Sequence, residues 1–142
     1  MLSKSSKYAI RAVLYLSLNS NDKKKYNPKD IAEAIAIPAP FLAKILQELA
    51  KNKLISSTKG RNGGFYLTKV NRLNSMLSII DCIDGLHKLD ECFIGLPKCS
   101  DSSPCAVHHI VSPLKNDLLQ VLKNNNIDDF TKDVALGKMH IV

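Results

Sequence analysis

The 142-residue sequence predicts a mainly α-helical fold with one small β-hairpin. Apolar residues recur at spacings of three and four in several stretches, which is typical of amphipathic helices. Two short β-prone runs flank a Gly-rich pentapeptide near the middle, which is typical of a hairpin. Because the chain is short and 45% hydrophobic, we expect one compact domain with an extension rather than two large domains.

Three helices are predicted in the first half. The first covers 5–19, where apolar and aromatic side chains repeat at helical spacing without Gly or Pro. Asn27 is a predicted N-cap, followed by a proline at the first helical position, so a short second helix should run to about Ala36. Two prolines in 37–40 interrupt it, and a third helix is expected over 39–51. Two short helices separated by a tight turn form a helix-turn-helix.

A β-hairpin should follow the third helix directly. The β-prone runs 54–59 and 65–68 are joined by Gly60-Arg-Asn-Gly-Gly64, in which glycine supplies the positive φ that a tight turn needs. A hairpin in this position is the wing of a winged helix-turn-helix. Lys59 and Arg61 lie at its tip, which can approach phosphates or enter a minor groove. An ordinary solvated hairpin is the alternative.

The second half should place helices on both sides of a Cys-rich loop. One helix is expected over 76–83. Ser103-Pro104 should open a long helix that reaches about Asn125, or that restarts at Ser112-Pro113 because of its internal proline. The apolar stripe of this helix favours pairing with the same helix of a second copy. A last short helix is expected over 127–136.

Charged residues are distributed unevenly between the first and second halves of the chain. Residues 1–72, the predicted winged helix-turn-helix domain, carry 14 Lys or Arg against 4 Asp or Glu. Residues 73–142, the predicted sensor loop and dimerisation helices, carry 6 against 9. A basic first half is typical of a surface that meets a polyanion, although a solvated basic face is the alternative. No membrane span and no secretory leader are recognisable, so a cytoplasmic protein with reduced thiols is expected.

Three thiols and an imidazole fall within one short loop punctuated by Gly and Pro. They are Cys92, Cys99, Cys105 and His108. Ligand types of this kind, this close together, favour a metal or cluster site. The spacing also fits a structural zinc site, redox-sensing thiols without a metal, or residues that have lost any such role. Cys82 lies in a predicted helix, remote from the loop, and is expected to be a packing residue.

Taken together, these segments resemble the Rrf family of winged-helix repressors over nearly the whole chain. The resemblance rests on Lys7-Tyr-Ala-Ile-Arg-Ala12, Asp30-Ile-Ala, Leu54-Ile-Ser-Ser, Lys59-Gly-Arg-Asn-Gly-Gly-Phe-Tyr-Leu67 and the Cys loop with its following His. It implies a homodimer on a roughly palindromic double-stranded DNA operator, with the start of the third helix in the major groove and the wing at the minor groove. The implied DNA-contacting residues are Lys7, Pro38, Ala39, Pro40, Phe41, Lys44, Lys59, Arg61, Asn62 and Gly63.

The resemblance also implies a cofactor. In cluster-binding members of the family the loop holds an iron–sulfur cluster, which here implies Cys92, Cys99, Cys105 and His108 as ligands. A 2Fe–2S cluster is favoured over a 4Fe–4S cluster, with zinc or no metal as alternatives. His108 matches the position that IscR-like members use, whereas NsrR-like members use an acidic residue where this chain has Lys7.

The function implied is a transcriptional regulator, acting as a repressor, whose operator binding is controlled by the cluster. The alternative is a cluster-free repressor of the cysteine-metabolism or redox type. An enzyme is not expected, since no Gly-rich phosphate loop precedes a helix and no Ser–His–Asp set has a recognisable context. Pro40, Phe41 and Ala43 leave little direct hydrogen-bond readout at the start of the third helix.

Overall fold

The computed structural model describes residues 2–142, and over that range it contains eight helices and one two-stranded sheet. In chain order the elements are α1 (Lys4–Asn19), α2 (Pro28–Ala34), α3 (Ala39–Lys51), β1 (Ser56–Thr58), β2 (Gly64–Tyr66), α4 (Lys69–Arg72), α5 (Met76–Asp84), α6 (His87–Asp90), α7 (His108–Asn124) and α8 (Ile127–Ala135). A mainly α-helical chain with one hairpin is what the sequence predicted.

The predicted helix-turn-helix forms from local signals. The side chain of Asn27 accepts a hydrogen bond of 2.8 Å from the backbone N–H of Asp30, which caps α2 as expected. Helix α2 ends at Ala34, earlier than predicted, because Ala36 adopts a φ of 53° that a right-handed helix cannot contain. After the turn, α3 covers the predicted residues.

The wing is shorter than predicted and has an additional partner. Strands β1 and β2 pair antiparallel with Ser57 opposite Phe65. The chain just before α2 also pairs with β2, since the N–H of Tyr26 donates to the carbonyl of Phe65 at 3.0 Å and the N–H of Phe65 donates back at 2.7 Å. This bridge attaches the wing to the helix-turn-helix, and no local sequence pattern indicated it.

Two short helices were not predicted. Helix α4 follows the wing, and Thr68 and Asn71 form a reciprocal capping box at its start. Helix α6 then lies directly before the Cys-rich loop. Both helices have only four residues, too few to show a helical period.

The predicted start of the long helix is wrong. Helix α7 begins at His108 rather than at Ser103, because Ser100 and Ser103 exchange backbone hydrogen bonds of 3.2 and 3.1 Å in a tight turn. The helix also continues through Pro113 without restarting. A proline so close to the first turn removes one intrahelical donor, and the helix tolerates that loss.

The core is shared by both halves of the chain. Helix α1 packs against α3, α5 and α8, and its inward side chains Ala9, Ala12, Val13 and Leu16 are fully buried. Helix α7 has no buried residue. Helices on both sides of the predicted domain boundary between residues 72 and 73 contribute to this core. The boundary itself stays a prediction. Among residues 2–142, no helix has the length and apolar character required to span a bilayer.

Gly64→Ala is expected to destabilise the protein by about 3 kcal/mol. A Cβ at this position would lie 2.7 Å from the Tyr26 carbonyl oxygen, and the φ of 143° disfavours any side chain. Urea unfolding measures the loss. Gly137→Ala is the matched control, because its φ is 73° but an added Cβ would meet no atom within 4 Å. The control should cost only about 1 kcal/mol, so equal losses in the two variants would contradict the clash.

Candidate metal centre and nucleic-acid interface

The loop between α6 and α7 brings its three thiols together. The Sγ atoms of Cys92, Cys99 and Cys105 all lie within 4.8 Å of one another. The Sγ atoms of Cys92 and Cys105 are 3.7 Å apart, although the residues are thirteen positions apart in sequence. Local turns produce this approach: the N–H of Gly95 donates to the carbonyl of Cys92 at 2.9 Å, and the Ser100–Ser103 turn reverses the chain before Cys105.

His108 contacts this group on one side. Its Nδ1 lies 3.2 Å from the Sγ of Cys99, but the ring is not within 4.8 Å of all three sulfurs. Its Nε2 lies 2.8 Å from a carboxylate oxygen of Asp101. With the proton on Nε2 donated to Asp101, the lone pair of Nδ1 faces the thiols. Metal-ligating histidines typically donate the N–H of their other ring nitrogen to a carboxylate in this way. No sequence pattern indicated this contact of Asp101.

A cavity of about 120 Å³ adjoins the thiols. Its walls include Cys92, Cys99, Cys105, His108 and, from α7, Val111, Lys115 and Leu119. About 10–15 Å³ of such volume holds one water molecule, so the cavity has room for a small inorganic group. Thiolate and imidazole donors suit zinc and iron–sulfur centres alike, and the residues present therefore fit either kind of group.

Both ends of the Cys loop are attached to α7. The C-terminal end leads directly into that helix at His108. At the N-terminal end, the ammonium of Lys115 donates a hydrogen bond of 2.7 Å to the carbonyl of Glu91, the residue before Cys92. Lys115 also lines the cavity, so it places a positive charge near the thiols. Its role was not predicted, because the contact joins residues that are far apart in sequence.

The thiols differ in acidity. Hydrogen bonds from the backbone of Leu96 and Ile94, with a contribution from Cys105, lower the pKa of Cys92 to about 7. For Cys99 a backbone hydrogen bond from Cys105 favours the thiolate, but burial and the neighbouring thiols outweigh it and raise the pKa. Burial, followed by the charges of Glu48 and Asp81, raises the pKa of Cys82.

In reduced, metal-free protein, Cys92 should react with iodoacetamide half-maximally near pH 7. The thiolate is the nucleophile, and a pKa of about 7 makes half of the Cys92 thiol available at that pH. Cys82 should reach half-maximal labelling only at more alkaline pH, because its pKa is raised. Peptide mass spectrometry of protein labelled across a pH series measures both. Labelling of Cys82 at a lower pH than Cys92 would contradict these assignments.

The residues predicted to contact DNA occupy three places on the surface. Pro38, Pro40, Phe41 and Lys44 are exposed at the start of α3, where Ala39 is half-buried. Lys59, Arg61 and Asn62 are exposed at the tip of the wing, and Lys7 is exposed on α1. Gly63 is half-buried in the turn, which requires glycine because a Cβ there would lie 2.2 Å from the carbonyl oxygen of Thr58.

Two exposed side chains further along α3 were not among the residues predicted to contact DNA. Gln47 and Lys51 line a shallow cavity between α3 and the wing, together with Thr58 and Lys59. Gln47 supplies a side-chain amide, which can both donate and accept hydrogen bonds, whereas Lys44 nearer the start of the helix can only donate. Helical periodicity could have found both, because they lie on the face opposite Leu46 and Leu49, which are buried.

Comparison with known proteins gives the family. The family model for Rrf2, described as an iron-dependent transcriptional regulator, matches residues 2–133. The HTH-type transcriptional regulator NsrR of Oceanobacillus iheyensis is 31% identical over 133 residues, which cover 93% of this chain and 90% of that protein.

Two solved structures share the fold. The chain superposes on T. potens IscR with a TM-score of 0.72 at 22% identity, covering 99% of this chain and 92% of that one. It superposes on CymR, the global cysteine regulator of B. subtilis, with a TM-score of 0.71 at 16% identity, covering 92% and 95%. These neighbours confirm the predicted winged-helix fold. The chain therefore belongs to the Rrf2 family of DNA-binding transcriptional regulators and is not an enzyme.

Proposed function

We propose that this protein is a homodimeric repressor whose affinity for its operator is controlled by an iron–sulfur cluster in the loop from Cys92 to His108. The observation that carries the proposal is the convergence of three thiols to within 4.8 Å in a loop anchored at both ends to α7. A loop that binds no ligand would not need to bring three thiols together beside a cavity. The regulator would act in the cytoplasm, where thiols stay reduced.

The family, rather than the ligand geometry, favours iron over zinc. The three thiols lie within 4.8 Å of one another and Nδ1 of His108 lies 3.2 Å from the Sγ of Cys99, and this donor set suits a single tetrahedral zinc or an iron–sulfur cluster. The family model that matches residues 2–133 is described as an iron-dependent transcriptional regulator, which supports an iron–sulfur centre. The cluster proposed is a 2Fe–2S cluster, in which the four donors would serve two irons.

When bound, such a cluster supplies a redox-active inorganic group, which an imidazole ligand makes easier to reduce than thiolates alone would. The protein's own residues would convert its presence into a change of shape. Ordering of the loop would fix His108 at the first turn of α7 and hold Lys115 on the carbonyl of Glu91. The state of the loop would thereby be transmitted to α7.

Helix α7 is the proposed dimer interface. Ile110, Leu114 and Val121 lie on one face and are 71%, 64% and 50% exposed, which is unusual for large apolar side chains so regularly spaced. A second copy of the helix would cover them. The two α3 helices would then face successive major grooves of a roughly palindromic operator, and a shift of α7 would change their separation. This separation is the proposed link between cluster and affinity.

The basic wing should determine part of the salt dependence of binding. Lys59→Ala combined with Arg61→Ala should reduce the slope of log affinity against log salt by about 1.8 for each subunit, because each lost phosphate contact removes about 0.9. Fluorescence anisotropy on a labelled operator at several salt concentrations measures it. Lys132→Ala with Lys138→Ala, at exposed positions outside both the proposed DNA-binding surface and α7, is the matched control. The same slope for wild type and wing variant would exclude the wing from the interface.

A second candidate function is favoured by the close pair of thiols Cys92 and Cys105. The Sγ atoms of Cys92 and Cys105 are 3.7 Å apart, and the pKa of Cys92 is lowered to about 7, which are the conditions for a thiol pair that responds to oxidants without a metal. The regulator would then be a cluster-free redox repressor.

Metal analysis decides between these functions. Protein purified without oxygen and reconstituted with iron and sulfide should contain two irons and two acid-labile sulfides per chain and absorb in the visible range. Protein that contains zinc but no iron would support a structural metal. Protein that binds no metal, but forms a Cys92–Cys105 disulfide on mild oxidation, would support the redox repressor.

A further inference from the structure

We infer that Phe41 is a specificity-determining residue that reads the C5-methyl group of thymine in the major groove. The inference rests on the proposed placement of the start of α3 in that groove and goes beyond it, because it names the chemical group recognised. Phe41 is the third residue of α3, in the first turn, which is the part of a recognition helix that reaches base edges.

The exposure of Phe41 is the first observation. Its side chain is 55% exposed, whereas Leu42, next along the same helix, is fully buried. Because Leu42, Ile45 and Leu46 already face the core, Phe41 is not needed for its packing. A large aromatic side chain left on the surface of a DNA-binding helix is suited to an apolar partner.

The ring is also held in place. Phe41 and Tyr8 of α1 meet edge to face, with ring centroids 6.5 Å apart and an interplanar angle of 88°. Edge-to-face pairs of this kind are favourable arrangements of two aromatic rings. The contact restricts the rotamers of Phe41 before DNA arrives, so less side-chain entropy is lost on binding.

The neighbours of Phe41 supply charge but few hydrogen bonds. Ala39, Pro40 and Ala43 carry no side-chain donor or acceptor, and Pro40 and Phe41 are both exposed. Lys44, one turn later, is exposed and can reach a phosphate. In the major groove, the thymine methyl is the one base-edge group that an apolar side chain recognises well, and phenylalanine is among the residues that contact it.

The test removes the methyl group without changing base pairing. An operator is first selected from random duplexes by the cluster-loaded and by the cluster-free protein. Each thymine of the selected site is then replaced in turn by deoxyuridine, and affinities are measured at one salt concentration. For the wild-type protein, one or two replacements in each half-site should weaken binding by about fourfold, the value of one buried methyl-sized group.

The variant Phe41→Ala should bind the same operator on the order of tenfold more weakly and should no longer distinguish thymine from deoxyuridine at those positions. Leu136→Ala, which truncates an apolar side chain that is 69% exposed at the end of α8, should keep the full methyl sensitivity. Circular dichroism and urea unfolding establish that Phe41→Ala is folded. If it is not, Phe41→Leu replaces it and should reduce the methyl effect.

Two results would overturn the inference: no thymine whose methyl group affects wild-type binding, or the same methyl effect in wild type and Phe41→Ala. Either can occur while cluster control of affinity is intact, so the inference can fail without the proposed regulation failing. Loss of cluster control with the methyl effect retained would reject the regulation and keep Phe41 as the reading residue.

Discussion

Cys99→Ala is expected to abolish stoichiometric iron binding by protein reconstituted without oxygen. Cys99 lies between the other donors of the proposed centre, because its Sγ is within 4.8 Å of the other two loop thiols and 3.2 Å from Nδ1 of His108. Without it, only two thiolates remain and the imidazole has no thiolate beside it. Iron and acid-labile sulfide per chain should fall at least tenfold, and the visible absorption should be lost. Colorimetric assays and an absorption spectrum measure these quantities.

Cys82→Ala is the matched control for this prediction. Cys82 lies in α5, where its Sγ is 3.9 Å from the carbonyl oxygen of Glu48 and belongs to no group of metal-ligating side chains in the described residues 2–142. Iron content should therefore equal that of wild type. Urea unfolding of both variants in the metal-free state separates loss of a ligand from loss of fold. Full iron content in Cys99→Ala, or loss of iron in Cys82→Ala, would contradict the assignment of the site.

Arg72→Ala is expected to lower the free energy of unfolding by about 3 kcal/mol, the largest effect that we predict for a half-buried polar side chain. Its guanidinium donates to the carbonyl of Ser17. It also donates to the hydroxyl of Ser17 and to the carbonyl of Ser20, at 2.8 Å in each case. It also lies 3.7 Å from the carboxylate of Asp128. One side chain thus joins the segment after the wing to the end of α1 and to α8, and truncation would leave these acceptors without a donor.

Lys69→Ala provides the comparison for Arg72→Ala, because Lys69 is an exposed cation in the same short helix. Its loss should change stability by no more than about 0.5 kcal/mol. Urea unfolding at pH 7 gives both values. A destabilisation by Arg72→Ala as small as that of the control would show that the guanidinium contacts contribute no net stability.

Elements with a strong local signal were predicted correctly. The N-cap Asn27 and the proline after it specify the start of α2, and glycines that no other residue can replace, such as Gly64 beside Tyr26, specify the hairpin. The start of α7 was predicted wrongly, since a Ser-Pro pair is a good local start. In the structure the backbone of Ser103 instead pairs with that of Ser100 in a tight turn, so Ser103 does not begin the helix.

The candidate site was predicted in composition but not in arrangement. The grouping of Cys92, Cys99 and Cys105 in one loop was sufficient to expect a metal or cluster ligand set. The carboxylate of Asp101 on His108 and the ammonium of Lys115 on Glu91 depend on how the loop folds against α7. No periodicity or motif encodes such contacts, because the partners are brought together only by tertiary structure.

The most direct test of the proposed regulation is the operator affinity of one preparation in two states. Anaerobic protein carrying two irons per chain, and the same protein after chelation of its iron, are titrated against one labelled operator at one salt concentration. The proposed coupling between loop, α7 and the two α3 helices predicts dissociation constants that differ at least fivefold, the lower range of allosteric coupling free energies. Equal dissociation constants for the two states would contradict control of DNA binding by the cluster.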